Sequence, residues 1–205
     1  MPDDRAKRWL DLTLAVPALI LTLPVQAVVA LAVRLRMGSP VLFTQERPGK
    51  DGRPFTLLKF RTMRTQDPRR GPEGDADRLT GLGSMLRASS LDEIPSLWNV
   101  VRGDMSLVGP RPLLVQYLDR YTPEQARRHE VRPGLTGLAQ ISGRNALSWE
   151  EKLLLDVQYV DRRSMGLDLW IVLRTVWCVL RRQGISAKGD ATMPEFRGSA
   201  VQGMR

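Results

Sequence analysis

The sequence predicts an α-rich α+β protein: a re-entrant N-terminal membrane helix, then a compact cytoplasmic domain carrying interfacial amphipathic helices. Three observations predict it. Leu12 to Val33 contains no ionised side chain, basic residues flank that run on both sides, and the remainder mixes short strand-like stretches with longer helical ones. A chain of 205 residues has room for one moderate domain plus one membrane element. The boundaries fall at residues 1–36 for the membrane helix, 37–188 for the domain and 189–205 for a C-terminal tail.

The first element rests on its flanks. Arg5, Lys7 and Arg8 precede the apolar run, and Arg34 and Arg36 close it. Twenty-two residues, at about 1.5 Å each, reach across a bilayer core of about 30 Å. Pro17 and Pro24 lie inside, and each removes a helix hydrogen bond and favours a kink. Basic residues at both ends conflict with the positive-inside rule for a single crossing. A bent helix with both ends cytoplasmic resolves the conflict. The competing readings are a single span, a buried core helix, and a cleaved signal ending near Ala30-Leu31-Ala32.

The remaining elements follow in order. Val41 to Gln45 and Phe55 to Arg61 read as strands around the turn Pro48-Gly49-Lys50-Asp51-Gly52. Asp67 to Asp77, rich in Pro, Gly and charge, reads as a mobile loop. Leu79 to Ala88 is a short helix and Ser90 to Val101 a better one, with Gly103 placed to stop it. Met105 to Pro112 and Gly134 to Asn145 read as loops. Thr122-Pro123 opens a helix running to His129. Ser148 to Arg163 and Leu167 to Arg182 are the last long helices. In the second, Trp170 and Trp177 share a spacing of seven with Arg174 and Arg181, giving an aromatic and a basic stripe. Such a helix suits a membrane interface or, nearly as well, ordinary core packing. The tail from Gly189 lacks periodicity and is expected to drape over the surface.

Composition narrows the chemistry. One cysteine, Cys178, excludes an intramolecular disulfide, and one histidine, His129, argues against a Cys/His zinc site. His129 sits in Ala126-Arg127-Arg128-His129-Glu130, which reads as a solvated helix end. Catalysis is therefore expected from carboxylates, arginines and a metal. The net charge of +9 suits nucleic acid, anionic lipid or a phosphorylated substrate. Nucleic acid is disfavoured, because only Trp170 and Trp177 approach the interleaved aromatics that stacking platforms need.

Ser90-Leu91-Asp92-Glu93 admits two readings. Ser90 and Glu93 match a capping box, and acidic residues suit a first helical turn. The same position suits a nucleophile: a helix N-terminus would hold the Asp92 carboxylate charged, an aspartate can attack phosphorus, and Glu93 can hold Mg²⁺. Arg87, Arg111 (clamped in Gly109-Pro110-Arg111-Pro112) and Arg144 are arginines set among rigid or glycine-bearing segments, as phosphate binding favours.

These residues carry a resemblance. The chain resembles the small monotopic phosphoglycosyl transferases of the bacterial sugar transferase family. The likeness rests on Lys59-Phe60-Arg61-Thr62-Met63, on Leu91-Asp92-Glu93-Ile94-Pro95-Ser96-Leu97-Trp98-Asn99-Val100, and on Gly103 to Pro112. Arg132-Pro133-Gly134-Leu135-Thr136-Gly137, Ser142-Gly143-Arg144-Asn145 and Leu155 to Val160 complete it, in the family's order, between Lys7-Arg8 and Ala191-Thr192-Met193. The resemblance implies that residues 37–188 form a sugar transferase catalytic domain, semi-embedded in one leaflet. It implies that Asp92 attacks the sugar-bearing phosphorus of a UDP-sugar and releases UMP. Polyprenyl (undecaprenyl) phosphate would then take the phosphosugar and yield a polyprenyl-diphosphate-sugar. Glu93 corresponds to the metal-linked glutamate, with Mg²⁺ as cofactor. Lys59, Arg87, Arg111, Arg144, Asp156 and Asp168 match polar positions of the family's active-site region. The implied place is the cytoplasmic face of a bacterial inner membrane, in contact with phospholipid; the sequence leaves open whether the chain dimerises. One departure, the aspartate of Gly189-Asp190-Ala191-Thr192 where histidine is common, bears on sugar choice.

Overall fold

The computed structural model describes residues 4–66, 74–143, 147–181 and 195–198. It is helix-rich, with two small two-stranded sheets. Helix α1, Asp4–Met37, runs unbroken through Pro17 and Pro24. Its most apolar 18-residue window has a mean hydropathy of 2.2, so α1 is long and apolar enough to cross a membrane. Ile20, Leu21, Leu23, Val28 and Leu31 along it are exposed.

Both ends of α1 are fastened to the same body. Near its start, Lys7 pairs with Asp168 (2.7 Å) and Asp11 accepts from Ser106 Oγ (2.9 Å) and Leu107 N (3.0 Å), all in buried surroundings. Arg8 donates to the Val100 and Val101 carbonyls, in the last turn of a helix, where carbonyls run short of backbone donors. Near its end, Val29 and Val33 pack with Phe60 and Leu86. Arg61 donates to the carbonyls of Met37, Gly38 and Ser39, so one guanidinium caps α1.

The hairpin matches its sequence signal. Strands β1 (Leu42–Pro48) and β2 (Pro54–Phe60) are antiparallel, with Leu42 opposite Phe60 and Pro48 opposite Pro54. The free edge of β2 is covered by helix rather than by a third strand. From α4 (Ser96–Arg102), Asn99 Oδ1 accepts from Leu58 N (3.1 Å), Asn99 Nδ2 donates to Thr56 O (2.7 Å), and Ser96 Oγ donates to Leu58 O (2.6 Å). A buried edge must satisfy its backbone polar groups, and the fully buried Asn99 amide does so here.

The single helix expected over Ser90 to Val101 is divided. Helix α3 (Gly81–Ser89) ends where Ser90 turns left-handed (φ 57°), a 3-10 turn spans Leu91–Glu93, and α4 follows. Pro95 explains the division: it has no N–H, so the i→i−4 ladder cannot pass through it. The local bonds are i→i−3 instead, Glu93 N to Ser90 O (3.2 Å) and Ile94 N to Leu91 O (3.4 Å). The Ser90 side chain makes no cap bond, so the expected capping box is not formed.

Two expected loops contain regular structure. Strand β3 (Ser106–Val108) pairs in parallel with β4 (Gly134–Thr136), and α6 spans Leu138–Ser142. Three-residue strands are too short to show a period of two. Glycine is required where these segments meet: a Cβ on Gly134 would lie 2.1 Å from Gly109 N, and one on Gly137 would lie 2.2 Å from Gly109 O. This crossing anchors the start of the loop that carries Arg111. Within the expected mobile loop, Asp75–Arg78 forms a helical turn, α2, and residues 67–73 lie outside the described residues.

Between β3 and β4, α5 is short (Pro123–Ala126) and opens on the expected Thr122 cap. The last helices, α7 (Trp149–Arg162) and α8 (Met165–Leu180), fall where the sequence placed them. On α8, Ile171 and Cys178 are buried, while Leu169, Trp170, Leu173, Val176 and Trp177 are exposed. The aromatic and basic stripes are not separate: the Arg181 guanidinium lies 3.6 Å from the Trp177 ring centroid. The tail does more than drape. Phe196 is buried against Tyr117 (centroids 5.7 Å), Tyr121 (5.6 Å) and Trp149 (5.4 Å). Residues 189–194 and 199–205, with the Asp190 departure, lie outside the described residues.

Candidate active site

The 3-10 turn brings Asp92 and Glu93 between β2 and the Arg111 loop. Glu93 Oε1 accepts from Lys59 Nζ (2.7 Å) and from Arg111 Nη2 (2.5 Å). Its Oε2 has, among the described residues, one long contact, Arg111 Nη1 at 3.5 Å. Arg87, on α3, donates from Nε to Thr62 Oγ1 (3.1 Å) and, with Lys59 and Arg111, contributes positive potential at Asp92.

The pKa values of the two carboxylates are shifted in opposite directions. Burial alone would raise the Glu93 pKa, but the charges and hydrogen bonds of Arg111 and Lys59 overcome it and hold Glu93 well below the usual carboxylate range. Asp92 is buried, and among the described residues no hydrogen bond contributes to the state of its carboxylate. Burial, then repulsion from Glu93, pushes its pKa up to about 6, against the pull of Lys59, Arg111 and Arg87. The sequence reading expected a helix N-terminus to hold Asp92 charged. A three-residue turn supplies no such dipole, so burial dominates. Burial also lowers the Lys59 pKa, with Glu93 opposing.

The structure thus brings Lys59, Arg87, Asp92, Glu93 and Arg111 together. Asp156 and Asp168 are each held in a buried ion pair. Asp156 holds Arg128 (2.7 Å), whose guanidinium also donates to Arg111 O (2.6 Å), so Asp156 reaches the site through the backbone of the Arg111 loop. Asp168 holds Lys7 and lies 2.7 Å from the Tyr159 hydroxyl, joining α8 to α1. Arg144 lies outside the described residues.

Sequence reasoning missed Arg128, which is almost fully buried in the stretch read as solvated. Its neighbour His129 is half-buried against Tyr121 (centroids 5.7 Å), and burial lowers its pKa to about 4, so it is neutral at pH 7. Asn99, inside the Leu91 to Val100 block, was also missed as the residue that fixes α4 to β2 and so sets Lys59 beside Glu93. A polar residue three positions after Ser96 on a helix otherwise apolar on that face was the available signal.

A buried carboxylate lies beside three cations here, a combination chemically suited to phosphate. The family described as bacterial sugar transferase matches residues 3–182. The chain is 53% identical over 194 residues to a Bacillus subtilis protein named as the uncharacterized sugar transferase EpsL, covering 94% of this chain and 96% of that one. It is 44% identical over 187 residues to the UDP-glucose:undecaprenyl-phosphate glucose-1-phosphate transferase of Caulobacter vibrioides, covering 84% and 69%. It is 41% identical over 197 residues to the UDP-galactose-lipid carrier transferase of Erwinia amylovora, covering 87% of this chain and 41% of that longer protein. The chain belongs to the bacterial sugar transferase family and is a transferase enzyme.

Proposed function

We propose that the chain transfers a phosphosugar from a UDP-sugar to polyprenyl phosphate in polysaccharide synthesis, through a covalent intermediate on Asp92. The observation that carries this reading is the contrast between the two carboxylates. Glu93 is committed to Lys59 and Arg111, whereas Asp92 is buried, draws on no hydrogen bond among the described residues for the state of its carboxylate, and faces positive charge. An Asp92 oxygen attacks the sugar-side phosphorus; the bond from that phosphorus to the bridging oxygen breaks, and its electron pair leaves with UMP. A phosphate oxygen of the acceptor then attacks the same phosphorus and Asp92 departs as carboxylate. Lys59, Arg87 and Arg111 neutralise the phosphoryl oxygens in both steps.

The donor set is compatible with magnesium. Among the described residues no group of three or more His, Cys, Asp or Glu gathers, but Mg²⁺ commonly takes one or two carboxylates and completes its shell with water and substrate phosphates. Glu93, through the lightly engaged Oε2, would hold it with the donor's phosphates. When bound, Mg²⁺ would supply further neutralisation of phosphate charge.

The acceptor's chain has an apolar path. A cavity of about 410 Å³ is lined by Pro24, Val25 and Val28 of α1, by Leu82 and Met85 of α3, and by Leu91, the neighbour of Asp92. Re-entrant insertion of α1 into one leaflet is supported by the attachment of both its ends to one body, and interfacial seating by the exposed apolar face of α8. On this reading the domain lies on the cytoplasmic face of the inner membrane. Single cysteines placed by Asp3→Cys and by Arg53→Cys, in a Cys178→Ser background, are expected to label from the cytoplasmic side alone. Labelling of position 3 from the opposite side would contradict re-entrance.

The reaction is tested by UMP release from a panel including UDP-glucose and UDP-galactose, with undecaprenyl phosphate as acceptor. At least one donor is expected to give UMP and a lipid-linked product in equal amounts. Absence of UMP from every UDP-sugar, with folded protein in native-like lipid, would contradict the assignment.

A further inference from the structure

Helix α8 is fastened to the body along one narrow stripe. Asp168 pairs with Lys7 (2.7 Å), Ile171 is fully buried, Thr175 Oγ1 lies 2.7 Å from Thr136 Oγ1, and Cys178 is buried. Positions three or four apart share one face of a helix, so this stripe leaves the opposite face open. That face is apolar: Leu169, Leu173 and Val176 lie at its centre, and Trp170 and Trp177 along one margin, all exposed. Arg174 and Arg181 follow the two tryptophans by four residues, on the same margin. The Arg181 guanidinium lies 3.6 Å from the Trp177 ring centroid. Both arginines are exposed, and among the described residues neither forms an ion pair. The one acid of α8, Asp168, is buried against Lys7, so no acid of the helix reaches the exposed face.

We propose that this face is a docking surface for anionic phospholipid, with Arg174 and Arg181 taking headgroup phosphates while the apolar centre enters the acyl boundary. This rests on the interfacial seating of α8 argued above, and deepens it from contact with a bilayer to preference for a negatively charged one. A contiguous apolar face seeks a non-aqueous partner, and a second copy or a lipid surface could cover it. Charge decides between them. A second copy seated on it by two-fold symmetry would bring both arginines of each helix into one interface, with no acid of α8 to offset them. An anionic leaflet instead offers phosphate oxygens at the depth where a tryptophan margin sits. The arginine stems lie along apolar surface while their heads reach the headgroups. The negative surface potential adds an attraction that a zwitterionic bilayer lacks.

The test reads the depth of α8 in the full chain, with neither donor nor acceptor present. A nitroxide is attached at Leu173→Cys, the most exposed large apolar position of α8 (62%), in a Cys178→Ser background. The protein is reconstituted in vesicles of phosphatidylcholine, alone or with about a third of phosphatidylglycerol. In the anionic vesicles the label is expected to be open to oxygen and closed to a water-soluble nickel chelate. Arg174→Gln and Arg181→Gln are each expected to lower the ratio of immersed to water-exposed label about fivefold there. Pure phosphatidylcholine is expected to lower that ratio in the parent protein, and the Gln substitutions to have little further effect in it. Equal immersion in both lipids and in both Gln variants, with unchanged thermal unfolding, would overturn the anionic preference and leave interfacial seating standing. A label open to nickel in every vesicle would overturn both. Spin–spin coupling between labels would give the face to a second copy and overturn the proposal. Turnover is not read, so failure of the transfer reading would leave these outcomes as they are.

Discussion

Asp92→Asn is expected to abolish turnover while leaving the protein folded and more stable at pH 8. The amide keeps the shape of the side chain but is a far weaker nucleophile, so product formation should fall to background. The stability gain follows from the raised pKa. A carboxyl whose folded pKa lies above its unfolded value of 3.8, here about 6, opposes folding once ionised. That penalty is absent below the unfolded pKa and fully present above the folded one. Replacing Asp92 by a neutral group removes it, and the melting temperature at pH 8 should rise by about 2–4 °C for each kcal/mol relieved. At pH 4 the two proteins should melt within a degree or so of each other, relative to that shift. In the wild type, activity should decline as the pH falls through about 6, as Asp92 takes up a proton. A variant that is inactive but destabilised at pH 8 would indicate a structural carboxylate instead.

Removal of Mg²⁺ is expected to have an effect of comparable size. With excess chelator, turnover should fall to background and return on adding Mg²⁺, because the transferring phosphoryl group gathers more negative charge than Lys59, Arg87 and Arg111 balance alone. Glu93→Gln should raise the Mg²⁺ concentration needed for half-maximal rate and lower the maximal rate by about 10²–10³-fold. It should also move the acid limb of the pH profile. Glu93 is a cause of the raised Asp92 pKa and holds Lys59 and Arg111 to itself. Without its charge, Asp92 loses a repulsive neighbour and gains two attractive ones, so the limb should shift to lower pH. Full activity in chelator, or a limb that moves upward, would contradict this arrangement.

The sequence made some of this legible and left the rest hidden for definite physical reasons. The hairpin, α1, α7 and α8 carry signals spread over many residues: a dense turn, a long apolar run, a sustained helical period. Lys59, Asp92, Glu93 and Arg111 were visible because they lie in specific sequence blocks, and Arg87 because it lies five residues before Asp92 at a matching polar position. The division of Ser90 to Val101 was hidden because a capping pattern and a helical period both continue across it, and the effect of Pro95 on the hydrogen-bond ladder decides the outcome. The β3–β4 pair was hidden because three-residue strands have no period, although Gly109, Gly134 and Gly137 marked a close backbone approach. Asp156 and Asp168 were grouped with the site, but their partners Arg128 and Lys7 are distant in sequence. A buried ion pair across 28 or 161 positions leaves no local trace.

The central claim is that Asp92 carries the phosphosugar between donor and acceptor. It is tested most directly by intact-mass spectrometry of wild-type protein mixed with its UDP-sugar and Mg²⁺ in the absence of polyprenyl phosphate. The account expects a protein heavier by one phosphosugar, formed together with one equivalent of UMP, mapped by peptide analysis to Asp92 and discharged when undecaprenyl phosphate is added. An adduct on another residue, or complete turnover through a ternary complex with no adduct at any time, would contradict it.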